Sequence, residues 1–146
     1  MPVQPIPSGY HSVTPVIMVE GAARLTDFLK KVFDAKVLMS YPGPNNTIAH
    51  SEVQIGDSRL MIADANPMFP AQAGSFYIYV PDTDAAYERA LAAGARNERE
   101  PKDQFYGDRN ASVIDEFGNR WSVATHVEDV SEEELGRRMK EMQKAS

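Results

Sequence analysis

The sequence predicts an α+β fold made of two tandem βαβββ modules with an additional C-terminal helix. Three observations point to it. Val19-Glu20-Gly21-Ala22-Ala23, a helical run and Phe33-Asp34-Ala35 are echoed by Val80-Pro81-Asp82, a second helical run and Gly94-Ala95, with the leading valines about 61 residues apart. Ile55-Gly56-Asp57-Ser58-Arg59-Leu60-Met61 is matched by Phe117-Gly118-Asn119-Arg120-Trp121-Ser122-Val123, so the echo includes the turn between terminal strands. At 146 residues the chain can bury one substantial core or two small modules. Module one is expected over about 10–65, a linker over about 66–73 and module two over about 74–127.

The first strand is expected over 12–19. Pro15 cannot donate to a ladder, which favours an edge strand or bulge. Leu25, Phe28, Leu29, Val32 and Phe33 recur at helical spacing within 22–33 and predict a helix packed on a sheet. Residues 36–41 read as a strand, Pro42-Gly43-Pro44-Asn45-Asn46 as an irregular connection and 47–55 as the next strand. Gly56-Asp57 is a tight-turn signal, after which 59–63 completes the module.

Residues 64–74 hold two prolines and small residues and form the expected connection between modules, with Met68 and Phe69 as alternative cavity-filling groups. The second module follows with a strand over 75–80, a helix over 84–93, and strands over 96–99, 111–115 and 120–125. Ser131, with Glu134 three positions later, carries the pattern of a capping box. It opens an expected helix over about 131–143 whose Leu135, Met139 and Met142 share a face for packing or dimerisation.

Composition narrows the function classes. A net charge of -6 argues against nucleic-acid binding, and the Arg137-Arg138-Lys140 group is interrupted by acids. The absence of cysteine excludes disulfides, thiolate nucleophiles and thiolate metal sites. The start of the chain lacks the pattern of a secretion signal, and no stretch reaches membrane-spanning length, so a cytoplasmic protein without membrane association is expected.

The chain resembles the vicinal oxygen chelate superfamily of glyoxalases, extradiol dioxygenases and antibiotic-binding resistance proteins. Within it the resemblance is to the PhnB-like glyoxalase/bleomycin-resistance group. It rests on residues 28–35, Ala49-His50-Ser51-Glu52, residues 56–64, Gln104-Phe105-Tyr106-Gly107-Asp108-Arg109, Asp115-Glu116-Phe117-Gly118-Asn119-Arg120-Trp121-Ser122, and 127–138. The resemblance implies a homodimer with sites near module or subunit junctions. It also implies that a metal-dependent relative would carry ligands at Thr14, Glu52, Ser75 and Ser122. Three of those four positions hold neutral hydroxyls, which do not replace the imidazole and carboxylate ligands that secure a divalent ion. No cofactor is therefore expected, with a divalent metal as the alternative.

Seven residues are candidate ligand contacts. His50 and Glu52, two apart on a strand, point to one face and could exchange a proton with a ligand or orient it. Phe105 and Tyr106 can stack on a planar group, while Gln104 and Arg109, with Asp108 beside them, offer polar recognition. Arg109 has a structural alternative in pairing with Asp108 or Asp115. Trp121 is divided between core packing and aromatic stacking on a ligand. His11 and His126 lie near the ends of the repeated core, where either could approach a site created by folding, with terminal hydrogen bonding or solvent exposure as the alternatives. Tyr41, Tyr77 and Tyr79 are weaker cavity candidates, and Tyr77 and Tyr79 share a strand face, where paired aromatics can also stabilise a sheet. No residue is assigned to catalysis.

The leading functional expectation is a metal-independent small-molecule-binding protein, concerned with drug resistance or sequestration, that uses a concave sheet cavity. The enzymatic alternative is a metal-dependent lyase, isomerase or dioxygenase. A structural or regulatory homodimer is the third class.

Overall fold

A computed structural model describes residues 2–145. The chain divides into two compact units, one running to Gly74 with Glu116–Asn119 added, the other comprising Ser75–Asp115 and the chain from Arg120 onward.

The first unit is a four-stranded sheet carrying one helix. Its elements are β1 (Val16–Val19), α1 (Ala22–Phe33), β2 (Lys36–Pro42), β3 (Ile48–Ile55) and β4 (Ser58–Asp64), with a 3₁₀ turn at Pro44–Asn46. The strand order is β1-β4-β3-β2. β1 runs parallel to β4, and the other pairs are antiparallel. The first strand is shorter than the sequence suggests, beginning after Pro15 rather than at Ser12. Pro15 has no N–H to donate, but its carbonyl accepts from Met61 N at 2.9 Å, so the ladder starts there and β1 lies at the sheet edge.

Helix α1 buries Leu25, Phe28, Leu29, Val32 and Phe33, the residues its periodicity singles out, against β1, β3 and β4. Full burial of such side chains contributes about 1.5–3 kcal/mol each. The helix has no capping side chain of its own, since Gly21 stands at the N-cap. Asp64 at the end of β4 takes that role across the fold. Its Oδ1 accepts from the Gly21 and Ala22 N–H groups at 2.9 and 3.1 Å, and its Oδ2 accepts from Ile48 N at 2.7 Å. Met68 and Phe69, candidates for filling a cavity, are instead exposed beside a turn in which Asn66 Oδ1 accepts from both of their N–H groups.

The second unit repeats the plan with β5 (Ser75–Tyr79), α2 (Thr83–Ala92), β6 (Arg96–Asp103), β7 (Asp108–Ile114) and β8 (Arg120–His126), ordered β5-β8-β7-β6. α2 is capped locally by Asp82, whose Oδ1 accepts from Ala85 N at 3.1 Å. β6 and β7 are longer than expected from the sequence and draw Asp103 and Asp108 to Asn110 out of the supposed loop. Gln104 N bonds Asp108 O at 2.7 Å and Gly107 N bonds Gln104 O at 3.2 Å, closing a short hairpin turn. The strand expected over 96–99 continues to Asp103, and the charged residues Glu100, Lys102 and Asp103 hid that extension because an edge strand tolerates charge on both faces.

Helix α3 (Glu132–Ala145) follows. Ser131 Oγ accepts from Glu134 N at 3.1 Å, which is one half of a capping box. The Glu134 carboxylate is engaged by Arg137 and Arg138. Arg138 also binds both Glu128 oxygens and the Phe105 carbonyl, tying the helix to the β6–β7 turn. Leu135 is half-buried, while Met139 and Met142 remain exposed.

Candidate functional site

The alternation of side chains along a strand gives the second sheet two chemically distinct faces. On the helix side, Trp121 stacks on Phe76 with centroids 4.6 Å apart, and Ala111, Val113 and Val123 are buried with it. The opposite face carries Tyr77 and Tyr79 of β5, Asp108, Asn110 and Ser112 of β7, and Ser122 and His126 of β8. Their registers set these residues side by side: Tyr77 faces Ser122, Ser112 also faces Ser122, and Asp108 faces His126.

Two buried polar side chains organise this face. Asp108 is 4 % exposed, and its Oδ2 accepts from the Tyr77 and Tyr79 hydroxyls at 2.7 and 2.9 Å. Its Oδ1 lies 2.9 Å from His126 Nδ1, and His126 Nε2 is 2.7 Å from Asp129 Oδ1. Asn110 is fully buried and uses both ends of its amide. Its Nδ2 donates to the Tyr77 and Tyr106 oxygens at 3.0 and 2.7 Å, and its Oδ1 accepts from Arg99 and Gln104, each at 3.1 Å. A buried amide with every group paired fixes its neighbours, because any loosening would leave a donor or acceptor without a partner.

The electrostatics follow from these contacts. Burial pushes the Asp108 carboxyl up, but hydrogen bonds from His126, Tyr77 and Tyr79 outweigh it and hold the group below its ordinary value. The same carboxylate, with Asp129, raises His126 above its ordinary value. Burial raises the Tyr77 hydroxyl, and the hydrogen bond to Asp108 raises that of Tyr79. Both phenols therefore stay protonated near neutrality and act as donors to Asp108.

Of the residues singled out by sequence in this unit, Gln104 and Tyr106 meet on Asn110. Phe105 packs edge to face on Tyr106 at 5.2 Å and borders an apolar recess of about 230 Å³ with Met139 and Met142. Arg109 pairs with neither Asp108 nor Asp115. It makes a bidentate pair with Asp84 of α2 at 2.7 and 2.8 Å and a further pair with Asp103 at 3.2 Å, so it points to the helix side. Trp121 has no exposed surface and donates its indole N–H to Asp115 at 2.8 Å. It is a core residue on the side of the sheet away from the tyrosines.

In the first unit, His50 and Glu52 share a face of β3, while Ser51, Val53 and Ile55 between and beyond them are buried. His50 Nε2 and Glu52 Oε2 stand 3.7 Å apart, longer than a hydrogen bond. A separate cleft of about 370 Å³ in this unit is bordered by Met18, Glu20, Arg24, Gln72 and Phe117. Arg24 is held there by Glu116 at 2.6 Å and lies over the Phe117 ring.

The positions that a metal-dependent relative would use do not fit a divalent ion. Thr14 precedes β1 rather than lying on it, and Ser75 and Ser122 offer neutral hydroxyls. Glu52 is the one carboxylate in that set. Among the described residues, no group of three or more His, Asp or Glu side chains is arranged to hold a metal.

Asn110 and Arg99 are residues that sequence reasoning passed over, and Asp108, read from the sequence as a polar recognition group of a loop, is instead a buried member of β7. The signal was available in Asp108-Arg109-Asn110-Ala111-Ser112-Val113, where one polar position in two marks a polar sheet face. Starting that strand at Ala111 removed most of the alternation.

Two helix-bearing sheets of this order define the class of the protein by architecture, and comparison with known proteins gives the family. The profile of the Glyoxalase/Bleomycin resistance protein/Dioxygenase superfamily matches residues 10–123, and the chain belongs to that superfamily. An uncharacterised protein of Mycobacterium tuberculosis is 34% identical over 135 residues, covering 85% of this chain and 79% of that one. The crystal structure of TioX from Micromonospora sp. ML1 is similar with a TM-score of 0.63 and 23% identity, covering 80% of this chain and 100% of that one. A PhnB protein from Bacillus cereus, described as a putative 3-demethylubiquinone-9 3-methyltransferase, has a TM-score of 0.61 and 16% identity, with 79% and 99% covered. Both structural likenesses concern the fold.

Proposed function

We propose that this is a metal-independent small-molecule-binding protein of the PhnB-like group, acting in sequestration or drug resistance as a cytoplasmic homodimer. One observation carries the binding reading: three tyrosines that are 38%, 44% and 63% exposed (Tyr106, Tyr77 and Tyr79) are anchored by their hydroxyls to the buried Asp108 and Asn110. Aromatic rings held in place from beneath present a rigid, partly apolar surface that loses little conformational freedom when a ligand settles on it. The buried polar groups position these rings, leaving ring faces and edges as the contact surface. Gln104 and Phe105 extend this surface at the hairpin turn. His50 and Glu52 form a separate polar pair on the first sheet. The proposed role of the donor chemistry is orientation of a ligand, and no bond is made or broken in it.

Native mass spectrometry tests the reading on protein purified without chelator or added metal, followed by mild denaturation to release retained molecules. A metal-free dimer carrying an organic ligand is the expected result. A stoichiometric divalent ion would overturn metal independence, and failure of a broad small-molecule panel to bind the folded protein would overturn the binding role.

A further inference from the structure

The edge strand β6 brings two cations to the tyrosine face of the second sheet. Arg99 stands opposite Ser112 and Lys102 opposite Asn110, which puts both cations on the tyrosine face. Asp103 belongs to the other side, where it pairs with Arg109 at 3.2 Å. Two carboxylates of the tyrosine face already have cationic partners. Glu98 takes two N–H groups of Arg120 at 2.6 and 2.8 Å together with the Ser112 hydroxyl, and Asp108 faces His126. Arg99 and Lys102 are exposed, and no carboxylate among the described residues lies within ion-pair distance of either, although the Arg99 charge also acts on Glu98.

Arg99 is nevertheless oriented. One of its N–H groups donates to Asn110 Oδ1 at 3.1 Å, and the Nδ2 of that same amide donates to Tyr77. The guanidinium and the Tyr77 ring are thus fixed through one fully buried side chain. The remaining guanidinium donors form a fork suited to a carboxylate. Tyr77 and Tyr79 stand edge to face with centroids 5.4 Å apart and offer an aromatic wall beside it. An exposed ion pair contributes little by itself, so charge and ring must act together.

We infer that the tyrosine face of the second sheet binds a planar aryl carboxylate, with Arg99 and Lys102 neutralising its charge and Tyr77 and Tyr79 packing on its ring. This rests on the binding reading above and names the ligand class of the same face. Calorimetry on the full chain at low ionic strength tests it with 2-naphthoate, 2-naphthamide, 2-naphthylmethylammonium and acetate as probes. Naphthoate is expected to bind about tenfold more tightly than the amide, roughly the ratio given by one retained charge-assisted contact. Acetate, lacking the ring, is expected to bind more weakly than naphthoate. In the Arg99→Gln, Lys102→Gln double variant the advantage of naphthoate over the amide, both measured on that variant, should disappear, and in Lys102→Gln alone, which keeps the Arg99–Asn110 hydrogen bond, it should shrink. Equal or tighter binding of the amide or the ammonium probe, or naphthoate affinity unaffected in the double variant, would overturn the anion assignment and leave small-molecule binding standing. Failure of every probe to bind the folded protein would overturn both the ligand class and the location of the site on this face.

Discussion

Asp108 is the residue on which most of the second sheet's polar face depends, because three side chains converge on its two oxygens. Asparagine has nearly the same shape but one acceptor oxygen, and its amide N–H groups would face donors. Asp108→Asn is therefore expected to lower stability by about 2–3 kcal/mol, the scale of a buried hydrogen bond to a charged group together with a donor left unpaired. It should also let the His126 pKa fall toward 6.5, which an NMR titration of the ring protons would read. An unchanged titration would show that Asp108 does not set the His126 charge. Gly107 carries a different constraint. Its φ is 104°, and an added Cβ would collide with the Glu128 carbonyl oxygen. Gly107→Ala is expected to cost about 1–3 kcal/mol through positive-φ strain and displacement of the 127–128 segment. Chemical denaturation with an unchanged slope would measure it, and a loss below a few tenths would contradict the packing described.

At the scale of elements, α1 shows how a helix start can depend on a residue more than forty positions away. Asp64 terminates β4 and supplies the acceptor that Gly21 cannot. Asp64→Ala is expected to destabilise by about 1–2 kcal/mol, as loss of an N-cap does, and to expose the Gly21, Ala22 and Ile48 amides first. Hydrogen exchange at those three N–H groups checks it, since uniform protection in the variant would reject the capping role. In the sequence the apolar stripe of α1 was plain, whereas its cap was invisible because Asp64 read as the start of a connection. The hairpin between β6 and β7 was misread for the opposite reason: its glycine and aromatics suggested a long recognition loop, while backbone pairing confines the turn to a few residues.

For the whole molecule, the ionisable contacts predict a stability plateau bounded on two sides. Asp64 and Asp108 are both held below their ordinary value of 3.8; burial raises each, but hydrogen bonding to the charged form outweighs it. Their contribution is present above that value and is lost as pH falls through the lower folded values. His126 is raised above 6.5 by Asp108 and Asp129, so its contribution is complete below 6.5 and disappears as pH rises through the folded value. Melting temperature measured across acid to mildly alkaline pH should thus decline at both ends. The Asp108→Asn variant should lose part of the alkaline decline and keep the portion that Asp129 provides. A profile flat above pH 6.5 in the wild type would contradict the His126 assignment.

Periodicity, turn residues and the internal echo were sufficient to specify two βαβββ modules and a following helix, because helices and strands are encoded by spacings of neighbouring side chains. The same local information put His50 beside Glu52 and Tyr77 beside Tyr79 on their strands. It could not decide the direction of Arg109 or Trp121, each of which had partners of suitable chemistry on both sides. Only the tertiary structure sent Arg109 to Asp84, sank Trp121 against Phe76 and Asp115, and gathered Tyr77, Tyr79, Tyr106 and His126 around Asp108 and Asn110. The reason is physical: a buried carboxylate or amide must satisfy its hydrogen bonds from whatever strands the sheet brings beside it, and those partners are set by register and strand order rather than by distance along the chain.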